Sequence, residues 1–285
     1  MRFGAHVSIA NHLYDAVDRA ASIGCDAMQI FPGNPRGWHS SYFDLADLDE
    51  FRRRRELADI RPLVIHLPYL VNLGAPTNRV FEASIAATKD SLAKAVLVDA
   101  DFLVVHVGSH VGAGREYGLQ RINAGLKEVL TSDFGRAKLL LENTAGAGFT
   151  LGSRLEEIAE IVNDLDKDPR LGICLDTCHA YAAGYDLSDP ATLDDFIKKL
   201  DDLIGLDRIG VIHANDCRGT LGDHLDRHEQ IGHGAIGRDG FRAILKRPEF
   251  QEMTFIIETP RPEAGDDIRN LEVLRSLAGI AESPT

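Results

Sequence analysis

The chain has 285 residues, 44% hydrophobic and 26% charged, with a formal net charge of −13. This suits a soluble protein with a full core and excludes a membrane-spanning bundle, since no stretch approaches the ~20 apolar residues of a span. The acidic balance argues against a general nucleic-acid binder, which normally has a basic excess, unless cations occupy some of the carboxylates.

The N-terminus, MRFGAHVSIANHLYDA, has no apolar leader, and Cys25, Cys174, Cys178 and Cys217 form no CxxC pair. Both features predict a cytoplasmic protein with reduced, mostly buried thiols.

The first strand is RFGAHVS. LYDAVDRAASIG follows, with Leu13, Ala16, Val17 and Ala20 on one helical face and a stop near Gly24. AMQIF and PLVIHLP are the second and third strands, and VFEASIAATKDSLAKAVLV is the helix after them. FLVVHVG and KLLLENT come next, then the helix SRLEEIAEIVNDL with Ser153 as its expected cap. LGICLDTCH, RIGVIHAND and TFIIETP complete the strands. Each holds four or more apolar residues in or near succession, as strands buried on both faces do.

With His6, Phe31, His66, His106, Glu142, Asp176, His213 and Glu258 as strand-end markers, the units recur at intervals of 25 to 45 residues. They do not resemble one another as solenoid repeats would. Eight alternating units without a linker predict one (β/α)8 TIM-barrel domain over residues 1–285. The longest loops are expected after strands 2, 3, 4, 6 and 7.

Six strand ends then carry His66, His106, Glu142, Asp176, His213 and Glu258. The carboxyl ends of barrel strands share one rim, where active sites sit. Imidazoles and carboxylates gathered there form a donor set suited to Zn²⁺ or Mn²⁺. A lone histidine at a strand end is more often simply hydrogen-bonded, but six successive polar strand ends do not fit that explanation. His179, Asp226 and His228 extend the pattern; in an extended DRH stretch the outer two residues point the same way. Cys178, between Asp176 and His179, is read as packing rather than as a nucleophile.

The motifs YLVNLG, HVGSH, ENTAGAG, GICLDTCHAYAAGYD, HANDC and DRHEQIGHGAIG span nearly the whole chain. In them the sequence resembles the endonuclease IV family, zinc-dependent apurinic/apyrimidinic endonucleases of DNA base-excision repair. The resemblance implies a monomer with three zinc ions that hydrolyses the phosphodiester 5′ to an abasic site in double-stranded DNA. The products would be a 3′-hydroxyl and a 5′-deoxyribose phosphate.

It further implies that Glu142 bridges two ions and helps position the attacking water. The first ion would also take His66 and His106. Asp176, His213 and Glu258 would hold the second, and His179, Asp226 and His228 the third. Arg36, Tyr69 and Leu70 would enter the DNA beside the flipped-out nucleotide. Taken by themselves, these three also read as a surface ion pair and an anchored loop.

The sequence departs from the pattern at Pro32 and Gly33, where relatives often carry Thr and Lys, and at HVG in place of HPG. Three Zn²⁺ ions would bring the formal charge to about −7 and concentrate positive charge at the rim. Arg36, Arg115, Arg218, Arg227 and Arg238 are expected in loops there. A sugar isomerase or epimerase of the xylose-isomerase type is the rival enzyme, and a non-catalytic lesion-binding protein the rival binder. Neither has an evident use for a third metal site with open positions.

Overall fold

Eight parallel strands close into a barrel in the computed structural model, which describes residues 1–34, 37–38 and 43–280. They are β1 (Arg2–His6), β2 (Ala27–Ile30), β3 (Leu63–His66), β4 (Phe102–His106), β5 (Lys138–Glu142), β6 (Leu171–Asp176), β7 (Ile209–His213) and β10 (Thr254–Ile257). A short antiparallel ribbon, β8 (Asp216–Cys217) with β9 (His228–Glu229), rises from the loop after β7.

The helices of the outer layer are α1 (Asp15–Ser22), α2 (Leu45–Leu57), α3 (Asn78–Leu97), α4 (Arg115–Val129), α5 (Leu155–Asp164), α7 (Pro190–Leu203), α8 (Gly237–Leu245) and α9 (Asp266–Ala278). One further helix, α6 (Thr177–Ala182), lies within the loop after β6. The fold class expected from the alternating pattern is therefore the one observed.

Strand alternation explains how the barrel presents polar groups at one end. Ala27, Val64, Val104, Leu140, Cys174, Val211 and Ile256 form a fully buried cluster inside the barrel. Gly4 occupies the corresponding place on β1, paired with Ala27. Two residues further along each strand, on the same face, come His6, Gln29, His66, His106, Glu142, Asp176, His213 and Glu258. The apolar layer thus forms the floor of a polar ring. Each buried Val, Leu or Ile contributes about 1.5–3 kcal/mol, and that floor lets the fold tolerate so many polar groups above it.

Two glycines are required by close approaches. A Cβ on Gly4 would lie 2.1 Å from the Ala27 carbonyl oxygen, so β1 and β2 can meet only without a side chain there. Gly108 has φ +123°, and a Cβ on it would sit 2.9 Å from Asn72 Oδ1. That oxygen accepts from the Ser109 and Gly74 N–H groups, tying the loops after β3 and β4 together.

The α1 face is as expected, with Ala16, Val17 and Ala20 buried and a turn through Gly24 at φ +77°. The Ser153 cap is not. The helix starts at Leu155 after Arg154, without a side-chain cap, and the Leu155 N–H donates instead to the Tyr185 hydroxyl at 3.1 Å. A tertiary partner replaced the local one. The loop after β5 (143–154) is also longer than that after β4 (107–114), against expectation.

Candidate metal centre

Glu142 lies at the middle of the rim and is fully buried. Its Oε2 is 3.1 Å from Nε2 of both His66 and His106. Its Oε1 is 2.9 Å from His213 Nδ1 and 3.6 Å from His179 Nδ1. His213 Nδ1 also lies 3.5 Å from Glu258 Oε2 and 3.9 Å from Asp176 Oδ2. Beyond Asp176, Asp226 Oδ1 stands 3.2 Å from His179 Nε2 and 3.3 Å from His228 Nε2.

Three candidate metal-binding clusters result: His66–His106–Glu142, Glu142–Asp176–His213–Glu258 and His179–Asp226–His228. Within each, one ligand atom per residue lies within 4.8 Å of the others. Glu142 belongs to the first two. Two alternative groupings bring in Cys174 or Cys178.

Local structure fixes these side chains. Asp176 ends β6 and caps α6, its Oδ1 accepting from the His179 N–H at 2.7 Å, so one helical turn sets the two residues together. Asn143 clamps the Asp176 main chain through two hydrogen bonds. Asn215 donates to Asp176 Oδ2 at 2.7 Å and accepts from the Glu258 N–H at 2.8 Å. The ribbon that carries His228 is anchored by buried Asp216, which accepts N–H groups from Cys217, Gly232, Gly234, Ile236 and Gly237.

Nδ1 of His66, His179 and His228 lies 2.7, 2.9 and 3.2 Å from the main-chain oxygens of Leu67, Asn143 and Glu258. A proton on each Nδ1 leaves Nε2 free for the site.

The cluster's charges come from imidazole and carboxylate alone. Burial opposes charge on His179 and His228, yet the surrounding carboxylates, Asp176 first, win and push them up to about 10 and about 9. His213 is raised well above its usual value against the same burial, by Cys174, Glu258 and Glu142. Burial would raise Glu142, but His213 and His106 hold it well below the carboxylate range. Asp226 and Glu258 are lowered by histidines in the same way. The carboxylates thus favour the charged form of His179, His213 and His228, and the histidines favour that of the carboxylates.

The donor set fits metal ions, and one atom points there directly. His228 Nε2 is buried and has no hydrogen-bond partner, although it faces Asp226 and Asp176. A buried orphan nitrogen is costly unless something binds it.

Residues 17–277 match the family model described as a xylose isomerase-like TIM barrel. A probable endonuclease 4 from Methanoculleus marisnigri is 44% identical over 97% of this chain and 98% of its own length. The chain belongs to the endonuclease IV family. The crystal structure of endonuclease IV from Thermus thermophilus is 39% identical and covers 99% of this chain and 100% of its own, with a TM-score of 0.87. A D-tagatose 3-epimerase-like protein is more distant, at 25% identity and a TM-score of 0.76, with 98% of each chain covered.

All nine residues singled out as ligands stand in the three clusters. Tyr69 and Leu70 project from the loop after β3, Tyr69 being 64% exposed. The Tyr69 ring packs edge-on against Phe31 and His106 at 5.4 and 6.1 Å. Arg36 lies outside the described residues. Arg218 and Arg227 are exposed on the loop around the ribbon. Arg115 and Arg238 instead fall in α4 and α8, and Arg115 is engaged by Glu157 and Glu160.

Cys178 lies in α6 rather than on extended chain, and its thiol is raised first by its hydrogen bond with Cys217 and then by burial. Phe31 is one residue past β2, and the inward polar group of that strand is Gln29. Sequence reading missed Gln29, Asn143 and Asn215. For Gln29 a signal existed, a single amide inside the apolar run AMQIF, two residues after an inward alanine.

Proposed function

We propose that this chain is a base-excision repair enzyme that hydrolyses DNA on the 5′ side of abasic sites, leaving a 3′-hydroxyl and a 5′-deoxyribose phosphate. The observation that carries this reading is the junction of three imidazole–carboxylate clusters around Glu142 on one barrel rim. The proposed ligands are His66, His106 and Glu142 for the first zinc, Glu142, Asp176, His213 and Glu258 for the second, and His179, Asp226 and His228 for the third. Zinc in such sites lowers the pKa of water to about 7 and offsets charge on a phosphate in displacement.

The chain's residues supply the rest. Glu142, held on both oxygens, orients the ligands of two clusters at once. The first and third clusters offer three protein groups each, which leaves positions open for water or phosphate, as catalytic sites require. Tyr69 and Leu70 are exposed apolar groups on the loop after β3, with the Tyr69 ring against His106. They would fill the space vacated by an abasic nucleotide, whose extrusion costs less than that of a paired base. The 44% identity to a probable endonuclease 4 and the third cluster favour this reading over sugar epimerisation.

The protein is read as a monomer of one barrel domain. Its four unpaired buried thiols suit the cytoplasm. Among the described residues, no helix is long and apolar enough to cross a membrane.

The test is incision of a labelled duplex with one tetrahydrofuran abasic analogue, with zinc counted on the same sample. This analogue blocks β-elimination. A cut leaving a 3′-hydroxyl with about three zinc ions per chain supports the proposal. No cut by fully loaded protein refutes it.

A further inference from the structure

Of the candidate ligand histidines, His66, His179 and His228 all turn Nδ1 toward a main-chain oxygen and Nε2 toward the site. His213 is reversed. Its Nδ1 faces Glu142, and its Nε2 lies 2.8 Å from Oε1 of Gln29, a fully buried side chain on β2. The Gln29 amide nitrogen lies 2.5 Å from Glu258 Oε1 and 3.0 Å from His6 Nδ1.

This pattern fixes the amide. Its two N–H groups donate to a carboxylate and an imidazole nitrogen, so its oxygen must accept, and the partner it accepts from is the Nε2–H of His213. The reverse amide orientation would set an oxygen against the Glu258 carboxylate. With the proton on Nε2, the Nδ1 lone pair of His213 points into the second cluster.

We propose that Gln29 is a positioning residue for the second metal: it selects the Nε2–H tautomer of His213 and, through the same amide, fixes the carboxylate of Glu258. This inference rests on the metal-centre reading above. It gives a role to two features outside the ligand set, the lone glutamine of AMQIF and the His6 of GAHVS, whose Nδ1 takes the second amide hydrogen. His213 differs from His66, His179 and His228 in a testable way. Their remote nitrogens are held by main chain, which substitution leaves in place, whereas that of His213 is held by a replaceable side chain. Outer hydrogen-bond partners of this kind typically govern metal affinity by 10–100-fold.

The test uses the zinc-loaded protein and two readouts besides activity. In wild type labelled with ¹⁵N-histidine, long-range ¹H–¹⁵N correlation should show His213 protonated at Nε2 and metal-bound at Nδ1, with His66, His179 and His228 the opposite. A proton on Nδ1 of His213 would overturn the proposal, and this result needs no variant to fold. In Gln29→Met, of similar length without the amide, one zinc equivalent should leave at a chelator concentration about 10–100-fold lower than in wild type. The other two should stay. A variant that retains zinc like wild type, with an unchanged His213 pattern, removes Gln29 from the role and leaves the nuclease reading intact. Wild type that holds three metals, shows the expected tautomer and fails to cut DNA would instead refute the nuclease and keep the role of Gln29.

Discussion

The two ends of the barrel are both rich in charge, and they use it differently. At the amino-terminal end a cavity of about 510 Å³ is lined by residues including Arg2, Arg61, Asp101, Lys138, Arg208 and Glu252. The arginines there are already committed. Arg2 and Arg61 pair with Asp59 at 2.9 and 2.8 Å, Arg136 pairs with Asp99 and Asp101, and Arg208 donates to the carbonyls of Lys167, Asp168 and Leu171.

At the carboxyl-terminal rim, the ion-pair partners of Glu142, Asp176, Asp226 and Glu258 among the described residues are all histidines. Guanidinium keeps its proton at any working pH, and imidazole does not. An arginine–carboxylate end is therefore a permanent structural pairing. A histidine–carboxylate end can exchange its protons for metal ions.

The most severe challenge to this contrast is Glu142→Ala. Because Glu142 serves two clusters, zinc content should fall by at least one equivalent and incision should drop by roughly three orders of magnitude or more, from the several kcal/mol a metal site supplies. Full activity in this variant would disprove the shared-ligand arrangement.

The next test is pH. In metal-free protein the raised values of His179 (about 10) and His228 (about 9) mean that their contribution to stability is fully present below the unfolded value of 6.5. It is lost as pH rises through 9 to 10. The lowered Glu142, Asp226 and Glu258 act the other way, their contribution being present above the unfolded carboxylate range and lost on acidification. Melting curves of chelator-treated protein should therefore be highest between about pH 5 and 6.5, above the unfolded carboxylate range and below the unfolded imidazole value, and decline on the alkaline side. Zinc-loaded protein should keep its stability there, and zinc affinity should weaken as pH falls because protons compete for the ligands. Identical alkaline behaviour with and without zinc would contradict this.

Tyr69→Ala separates metal binding from DNA binding. Loss of the aromatic group proposed to enter the duplex should weaken abasic-duplex affinity by roughly 5- to 100-fold, the range for a base–aromatic contact. Zinc content should not change; equal affinity in a gel-shift titration would remove Tyr69 from the interface.

The smallest effect belongs to the opposite end. Asp59→Asn removes an exposed partner of Arg2 and Arg61 at a residue with φ +50°, a conformation Asn tolerates. It should move the melting temperature by less than about 3 °C, with incision and metal content unaltered. A loss of zinc in this variant would mean that the two ends are coupled.

The barrel and most of its rim were legible in the order of residues alone. Eight apolar runs ending in polar residues are a periodic signal, and strand alternation converts it directly into a ring of inward side chains. His66, His106, Glu142, Asp176, His213 and Glu258 could be read for that reason. His179, Asp226 and His228 could be read as ligand types, but the geometry that unites them could not. It depends on a six-residue helix capped by Asp176 and on a ribbon anchored by Asp216.

Which nitrogen of each histidine faces the site was settled by the folded chain. That depends on partners distant in sequence, such as Gln29 for His213, 184 positions apart. Folding likewise made Tyr185, not Ser153, satisfy the start of α5. Local propensity cannot anticipate such choices, because a hydrogen bond's partner is set by where two remote segments meet.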